Sequence, residues 1–329
     1  MKMKRRSLLS KMGVVFLSLA LCLGLTGLAD AQGKFPTREI TMICASPAGT
    51  STDLCARALV SAASKILMQN IIFLNKPGAA QSIALVAVKA AKPDGYTIAL
   101  LESGGASAQL LKPVPYDFLK DFTYIMQAFG YQHGIVTQTG SQWKTIQDLI
   151  AYARSNPGKL RMGVLGVGSA HHLVIERLAM KTGVKFNIVP LGDSVTALTN
   201  LLGGHVDAAC ATSTFIPYVE SGQFRILAVA GGAEKRIPQY PNVPALMESY
   251  GIGMPSFPAV GGPKGIPPHI VDIFHQAFKK AQEDPEFIKT AEKFVTPLVY
   301  RGPEEITKYV HDFFAELGPV VKQLGLRKE

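Results

Sequence analysis

A chain of 329 residues with 47% hydrophobic side chains and 18% charged ones is long enough for two folded lobes and too apolar to be a disordered polymer. The formal charge of +10 is concentrated at the start: Lys2, Lys4, Arg5, Arg6 and Lys11 stand against Asp30, and the remaining 298 residues carry about +6. Lys and Arg are scattered there and Trp143 is the single tryptophan, which argues against the dense basic and aromatic surface of a nucleic-acid binder.

Residues 1–11 are basic, 12–28 are uncharged and mostly apolar, and Ala29-Asp30-Ala31 supplies small residues before a cut. This is an export signal, residues 1–31, cleaved after Ala31 so that the mature chain starts at Gln32. The apolar run falls short of the roughly 20 residues of a spanning helix. Arg5-Arg6-Ser7-Leu8-Leu9 fits a twin-arginine signal as well as an ordinary Sec signal, and both routes lead to the periplasm. Leu21 before Cys22 is too bulky for lipoprotein cleavage. Cys44, Cys55 and Cys210 lie in apolar stretches and read as buried thiols, with a Cys44–Cys55 bridge left open in an oxidising compartment.

Residues 39–45 read as a strand, 46–49 as a turn, and Thr52 or Asp53 as the cap of a helix to about Leu67. A strand follows at 70–74, a turn at 75–78, a helix at 81–91 and a strand at 96–101, with Ser103-Gly104-Gly105 opening a loop. Thr145 caps a helix to Arg154; 160–165 is a strand; Gly166-Val167-Gly168-Ser169 leads into a helix ending at Gly183. After a strand at 186–190, Asp193 or Ser194 caps a helix to Gly203-Gly204. Strands at 206–211 and 225–230 precede helices at 268–283, 285–293 and 303–324. Alternating strands and helices predict an α/β fold with mainly parallel sheets, which bind ligands at the carboxyl ends of their strands.

Four strand-to-helix loops, 46–53, 79–82, 103–107 and 166–172, are rich in small residues, hydroxyls and glycines and poor in charge. Each offers backbone N–H groups at a helix start, where a carboxylate or phosphate is favoured. Tight turns alone explain them equally well. Within them Ala48, Gly49, Thr50, Ser51, Thr52, Gln81, Ser82, Ser103, Gly104, Ser169, Ala170, His171 and His172 are the candidate ligand contacts. Residues 163–168 (GVLGVG) lack the Walker lysine and the dinucleotide spacing. His171 and His172 project about 100° apart on a helix start and do not chelate as an i,i+4 pair does, so a packed histidine beside a solvent-facing one and a ligand contact both fit. Ser169, His172 and Asp207 form no nucleophile elbow, and Cys210 has no base near it in sequence. No catalytic residue, metal site or cofactor is expected.

Six motifs in order carry a resemblance: Asn75-Lys76-Pro77-Gly78-Ala79, Lys92-Pro93-Asp94-Gly95-Tyr96-Thr97, Pro115-Tyr116-Asp117 with Leu119-Lys120-Asp121-Phe122, Asn156-Pro157-Gly158-Lys159-Leu160, Leu201-Leu202-Gly203-Gly204-His205-Val206-Asp207, and Pro241-Asn242-Val243-Pro244. Over the mature length the chain resembles the Bug-type solute-binding proteins of tripartite tricarboxylate transporters. The resemblance implies a type II periplasmic-binding fold, a Venus flytrap of two α/β lobes joined by two crossing strands. With crossings near Phe129 and Phe257, lobe 1 is 32–128 plus 257–329 and lobe 2 is 129–256. It also implies a monomer in the periplasm that holds a small organic carboxylate by backbone N–H groups and ordered water, and serves cognate membrane transporter subunits.

The departures fall at the site. The family loop P-P-G-G-x-T-D reads Pro47-Ala48-Gly49-Thr50-Ser51-Thr52-Asp53, and G-G-N-I-G reads Ala80-Gln81-Ser82-Ile83-Ala84. The acidic residue common at the end of a second-lobe strand is Ala211, next to Thr212, and the usual tryptophan before the return strand is Phe257. Ser194 and Leu191 complete the implied second-lobe wall. Lacking that acid, the cleft suits a carboxylate with an apolar or aromatic body against Phe257 and Leu191 better than an amino acid. A ligand-loaded sensor partner of a membrane receptor is the alternative use of such a cleft; a secreted hydrolase is disfavoured for want of a nucleophile.

Overall fold

The computed structural model describes residues 34–231 and 236–327, so the export signal and its cleavage site lie outside the described residues. Residues 34–37 belong to an N-terminal unit, Met1–Thr37, and the fold proper runs from Arg38 onward. Among the described residues no helix is long and apolar enough to cross a membrane.

Short β-rich runs form β1 (Ile40–Cys44), β2 (Ile71–Asn75) and β3 (Thr97–Glu102), which pair in parallel with β1 in the middle. Between them run α1 (Ser51–Leu67) and α2 (Ser82–Lys89). The cap of α1 is Thr50, whose Oγ1 accepts from the Asp53 amide, and not Thr52 or Asp53. Asp53 is occupied otherwise: its buried carboxylate accepts from the Gly49 amide at 2.8 Å, Asn75 Nδ2 at 2.8 Å and Arg57 Nε at 3.0 Å. That clasp fastens the turn before α1 to the end of β2.

The expected loop at Ser103 is instead the first turn of α3 (Ser103–Leu111), which starts directly at the end of β3. Its glycines serve close packing. A Cβ on Gly105 would stand 2.4 Å from Leu85 Cδ1, and one on Gly104 2.8 Å from Gln81 Nε2.

Four strands without a turn-bounded sequence signature complete the architecture: β4 (Phe122–Phe129), β5 (His133–Gln138), β10 (Pro258–Pro263) and β11 (Leu298–Arg301). One sheet has the order β11-β4-β10-β3-β1-β2. The second combines β5 with β6 (Arg161–Val164), β7 (Asn187–Pro190), β8 (Ala208–Thr212) and β9 (Phe224–Gly231) in the order β7-β6-β8-β5-β9. The chain passes from the first sheet to the second between β4 and β5, and is back in the first at β10. Three of these strands run against their neighbours: β10 is antiparallel to β3 and β4, β5 is antiparallel to β8 and β9, and β11 is antiparallel to β4, while β4 keeps the direction of β3. The sheets are therefore mixed rather than mainly parallel: β10, which brings the chain back, and β5, which opens the second sheet, enter against their neighbours, and so does β11 at the edge.

Around the second sheet lie α4 (Ile146–Ser155), capped by Thr145 as expected, α5 (Ala170–Thr182) and α6 (Ser194–Leu202), capped by Asp193. Two short helices, α7 (Ile216–Glu220) and α8 (Leu246–Tyr250), follow. The C-terminal helices α9 (Pro268–Ala281), α10 (Pro285–Lys293) and α11 (Pro303–Gln323) belong to the first sheet's layer, where α11 buries Ile306, Val310, Phe313, Leu317 and Val321 in one core. Helix α5 bridges the two halves. Its Leu173 joins that same core, and its Arg177 pairs with Glu316 of α11 at 2.5 Å while donating to the Gly253 carbonyl.

Candidate functional site

A cleft of about 480 Å³ opens between the two sheets at the carboxyl ends of β3 and β8. Helix N-termini reach it from both sides: Ser51 and Thr52 of α1, Ser103 and Gly104 of α3, and Ser169, Ala170 and His171 at the start of α5. First-turn amides have no intrahelical acceptor, so a helix start presents partial positive charge and spare donors. No lysine or arginine lines the cleft among the described residues.

Of the residues singled out in sequence, the structure brings Ser51, Thr52, Gln81, Ser103, Gly104, Ser169, Ala170, His171 and Thr212 together on this wall. The others sit elsewhere. Ala48 and Gly49 are exposed in the turn before α1, and Thr50 spends its hydroxyl on the cap and on the Pro47 carbonyl. Ser82 lies within the first turn of α2 and is not on the cleft wall. His172 points into the protein: its Nδ1 accepts from the Gly168 amide at 2.9 Å and its Nε2 lies 3.3 Å from Glu176. Ser194 stands behind Thr212, accepting from its amide at 3.1 Å. Leu191 packs on the core beside β6 and β8. Phe257 is fully buried among Phe118, Tyr309 and Phe313, so it cannot receive the body of a ligand; its carbonyl instead accepts from the Ser103 amide at 2.8 Å.

Gln81 replaces a family glycine at a structural cost. Ala79, Ala80 and Gln81 all take left-handed backbone angles, with φ of 48, 51 and 74°. Each such residue costs roughly 1–2 kcal/mol. In return Gln81 Oε1 accepts from the Gly105 amide at 2.6 Å, capping α3 from across the cleft wall.

The remaining wall was not anticipated. Glu102 ends β3 and is 4% exposed; its Oε2 accepts from Ser46 Oγ at 2.7 Å and from the Tyr131 hydroxyl at 2.8 Å. Burial pushes its carboxyl above the usual range, against the opposing pull of those hydroxyls. Burial, with Glu102 beside it, likewise raises the Tyr131 phenol. His133, at the start of β5, sets its Nδ1 3.1 Å from His171 Nε2. Burial lowers both imidazoles, His171 to about 4, and the pair is neutral at pH 7. Glu102 carried a legible signal, an acid closing an apolar strand just before a glycine pair. His133 carried none until the crossing strand was located.

Cys44, Cys55 and Cys210 are free and buried, so the open possibility of a Cys44–Cys55 bridge is closed. Burial raises each thiol, Cys55 to about 11, which leaves none as a thiolate at neutral pH.

Two α/β halves, a pair of crossings and a cleft ringed by helix starts define a two-lobed solute-binding protein of the type II periplasmic class. The chain belongs to the tripartite tricarboxylate transporter receptor family, TctC, whose sequence model matches residues 55–326. It is 36% identical over 328 residues to a UPF0065 protein in the gbd 5′ region of Cupriavidus necator, covering 99% of each chain. The crystal structure of a TctC solute-binding protein from Polaromonas superposes with a TM-score of 0.77 at 29% identity, covering 88% of this chain and all of that one. An R. palustris protein solved with adipate superposes with a TM-score of 0.75 at 26% identity, covering 89% and 99%.

Proposed function

We propose that this protein captures a small organic carboxylate in the cleft and delivers it to the membrane subunits of a tripartite tricarboxylate-type transporter. The observation that carries this reading is the convergence of three helix N-termini on a cleft without lysine or arginine. Such a wall compensates one negative charge with neutral donors and lacks the cations that a phosphate's double charge calls for. The adipate held by the R. palustris relative supports the same class of ligand.

The contacts are Ser51, Thr52, Gln81, Ser103 and Gly104 from lobe 1, and Ser169, Ala170, His171 and Thr212 from lobe 2. The lobes are 32–128 plus 257–329 and 129–256, and they close by hinge motion at the crossings. The mature chain starts at Gln32 in the periplasm, is monomeric, and binds without turnover; its raised thiols argue only against a cysteine nucleophile.

A thermal-shift panel tests the reading. Ligand at 100-fold above Kd stabilises the native state by about 2.7 kcal/mol, roughly 5–10 °C for a chain of this size. Organic acids should give the shifts. Shifts from sugars or phosphate esters, with none from any carboxylate, would overturn it.

A further inference from the structure

An anion entering this cleft finds little to offset its charge. Among the described residues the wall holds no lysine or arginine. Its acid, Glu102, offers no compensation, because Ser46 (through hydroxyl and amide), Tyr131 and Cys44 already donate to its carboxyl. The helix starts supply partial charge only. Of the described residues on the wall, His133 and His171 are the two whose side chains turn positive on taking a proton.

These two are bonded to each other. His171 Nε2 lies 3.1 Å from His133 Nδ1, with ring centroids 4.7 Å apart and planes at 83°. Both residues are buried, and burial keeps both imidazoles neutral at pH 7. In the neutral pair the facing nitrogens share one proton. One outer nitrogen, His171 Nδ1 or His133 Nε2, is therefore bare in either tautomer. His133 Nε2 has no hydrogen-bond partner in the protein. A proton added to the bare nitrogen leaves the shared bond intact and makes it charge-assisted.

The surroundings supply no competing cation. Thr212 and Gly231 stand opposite His133 on the neighbouring strands, and the Tyr131 ring lies 5.9 Å away. On α5, His172 turns inward to the Gly168 amide and Glu176. The charged groups reached through these contacts are acids, Glu102 behind Tyr131 and Glu176 behind His172. A carboxylate held at the start of α5 brings a further negative charge beside His171. An opposite charge within about 4–6 Å favours the protonated form by roughly one to three pH units.

We propose that this cleft binds its carboxylate together with one proton, taken from solvent onto the His133–His171 pair. A neutral pair, an anion and a proton become an imidazolium facing a carboxylate. The proposal rests on the carboxylate reading above and adds a second ligand to that site. By linkage, affinity for the acid rises as pH falls, and the acid leaves more readily where pH is higher.

The test is NMR of protein carrying isotope-labelled histidine, titrated from pH 8 to 4.5 alone and with saturating acetate, benzoate, succinate or adipate. His171→Gln assigns the signals, or His133→Gln if the first does not fold. Alone, the pair should stay neutral down to about pH 5, since His171 titrates near 4. With a bound acid it should protonate roughly one to three pH units higher. Calorimetry, corrected for the acid's own ionisation, should then give an affinity about 2- to 70-fold higher at pH 5 than at pH 7.5 in the wild type, and no such rise in the variant. An acid that binds without moving the pair would overturn proton coupling and leave the carboxylate reading intact. So would an equal pH dependence in wild type and variant, which places the proton on another group such as Glu102. Failure of all four acids to bind would overturn both.

Discussion

Acidification should unfold this protein partly through one histidine. His171 is 6% exposed, and burial moves its imidazole from 6.5 to about 4. Between those values the unfolded chain binds a proton that the folded chain refuses, so stability rises with pH across the window and is lost as pH falls. At about 1.36 kcal/mol per pH unit, His171 can remove on the order of 3 kcal/mol in full, and about 2 kcal/mol between pH 7 and 4.5. Urea unfolding of the wild type and of His171→Gln at those two pH values isolates the effect. Glutamine keeps an amide near the position of Nε2, which meets His133, but does not titrate. Carboxylates common to both proteins cancel in the comparison. The wild type should lose about 2 kcal/mol more than the variant on going to pH 4.5. Equal losses would refute the reasoning and mean that the folded protein accommodates a charged His171.

Ser51→Ala, which leaves the cap of α1 untouched, should weaken carboxylate binding by roughly 10- to 150-fold in calorimetry if its hydroxyl meets the ligand's charge. Ser169→Ala should lower both affinity and stability, because Ser169 Oγ also caps α5 through the His172 amide; the cap alone is worth about 1 kcal/mol in urea unfolding. Asp53→Ala removes the clasp on Gly49, Asn75 and Arg57 and should cost roughly 2–3 kcal/mol, with weaker ligand binding as the start of α1 loosens. Gly168 has a φ of +76°, so Gly168→Ala should strain the turn before α5 and lower stability by roughly 1–2 kcal/mol in urea unfolding.

The winding strands and helices were legible because each has a local cause: the apolar run of β1, the capping box of Thr145 and Asp148, the Gly183 stop of α5, and Pro268 and Pro303 at helix starts. The crossing strands have no such local cause, and only the resemblance points to Phe129 and Phe257, since residues 122–138 run through two strands in different sheets with only 130–132 between them and no turn signature marks the change. Helix-start residues at the cleft were readable for the same local reason, as charge-poor loops before amphipathic runs. Glu102, His133 and Ser256, which line the same cleft, were hidden because they are distant in sequence and reach it only through the crossings. Phe257 was misread as a ligand-facing aromatic because its place before the return strand says nothing about which way the ring turns. The core formed with Phe118, Tyr309 and Phe313 decides that.

A crystal structure with the acid that gives the largest shift in the thermal panel is the most direct test of the cleft as a carboxylate receptor. The carboxylate oxygens should lie at about 2.7–3.2 Å from first-turn amides of α1, α3 or α5. A ligand carboxylate remote from all three helix starts, or an acid bound outside the cleft, would contradict the carboxylate reading.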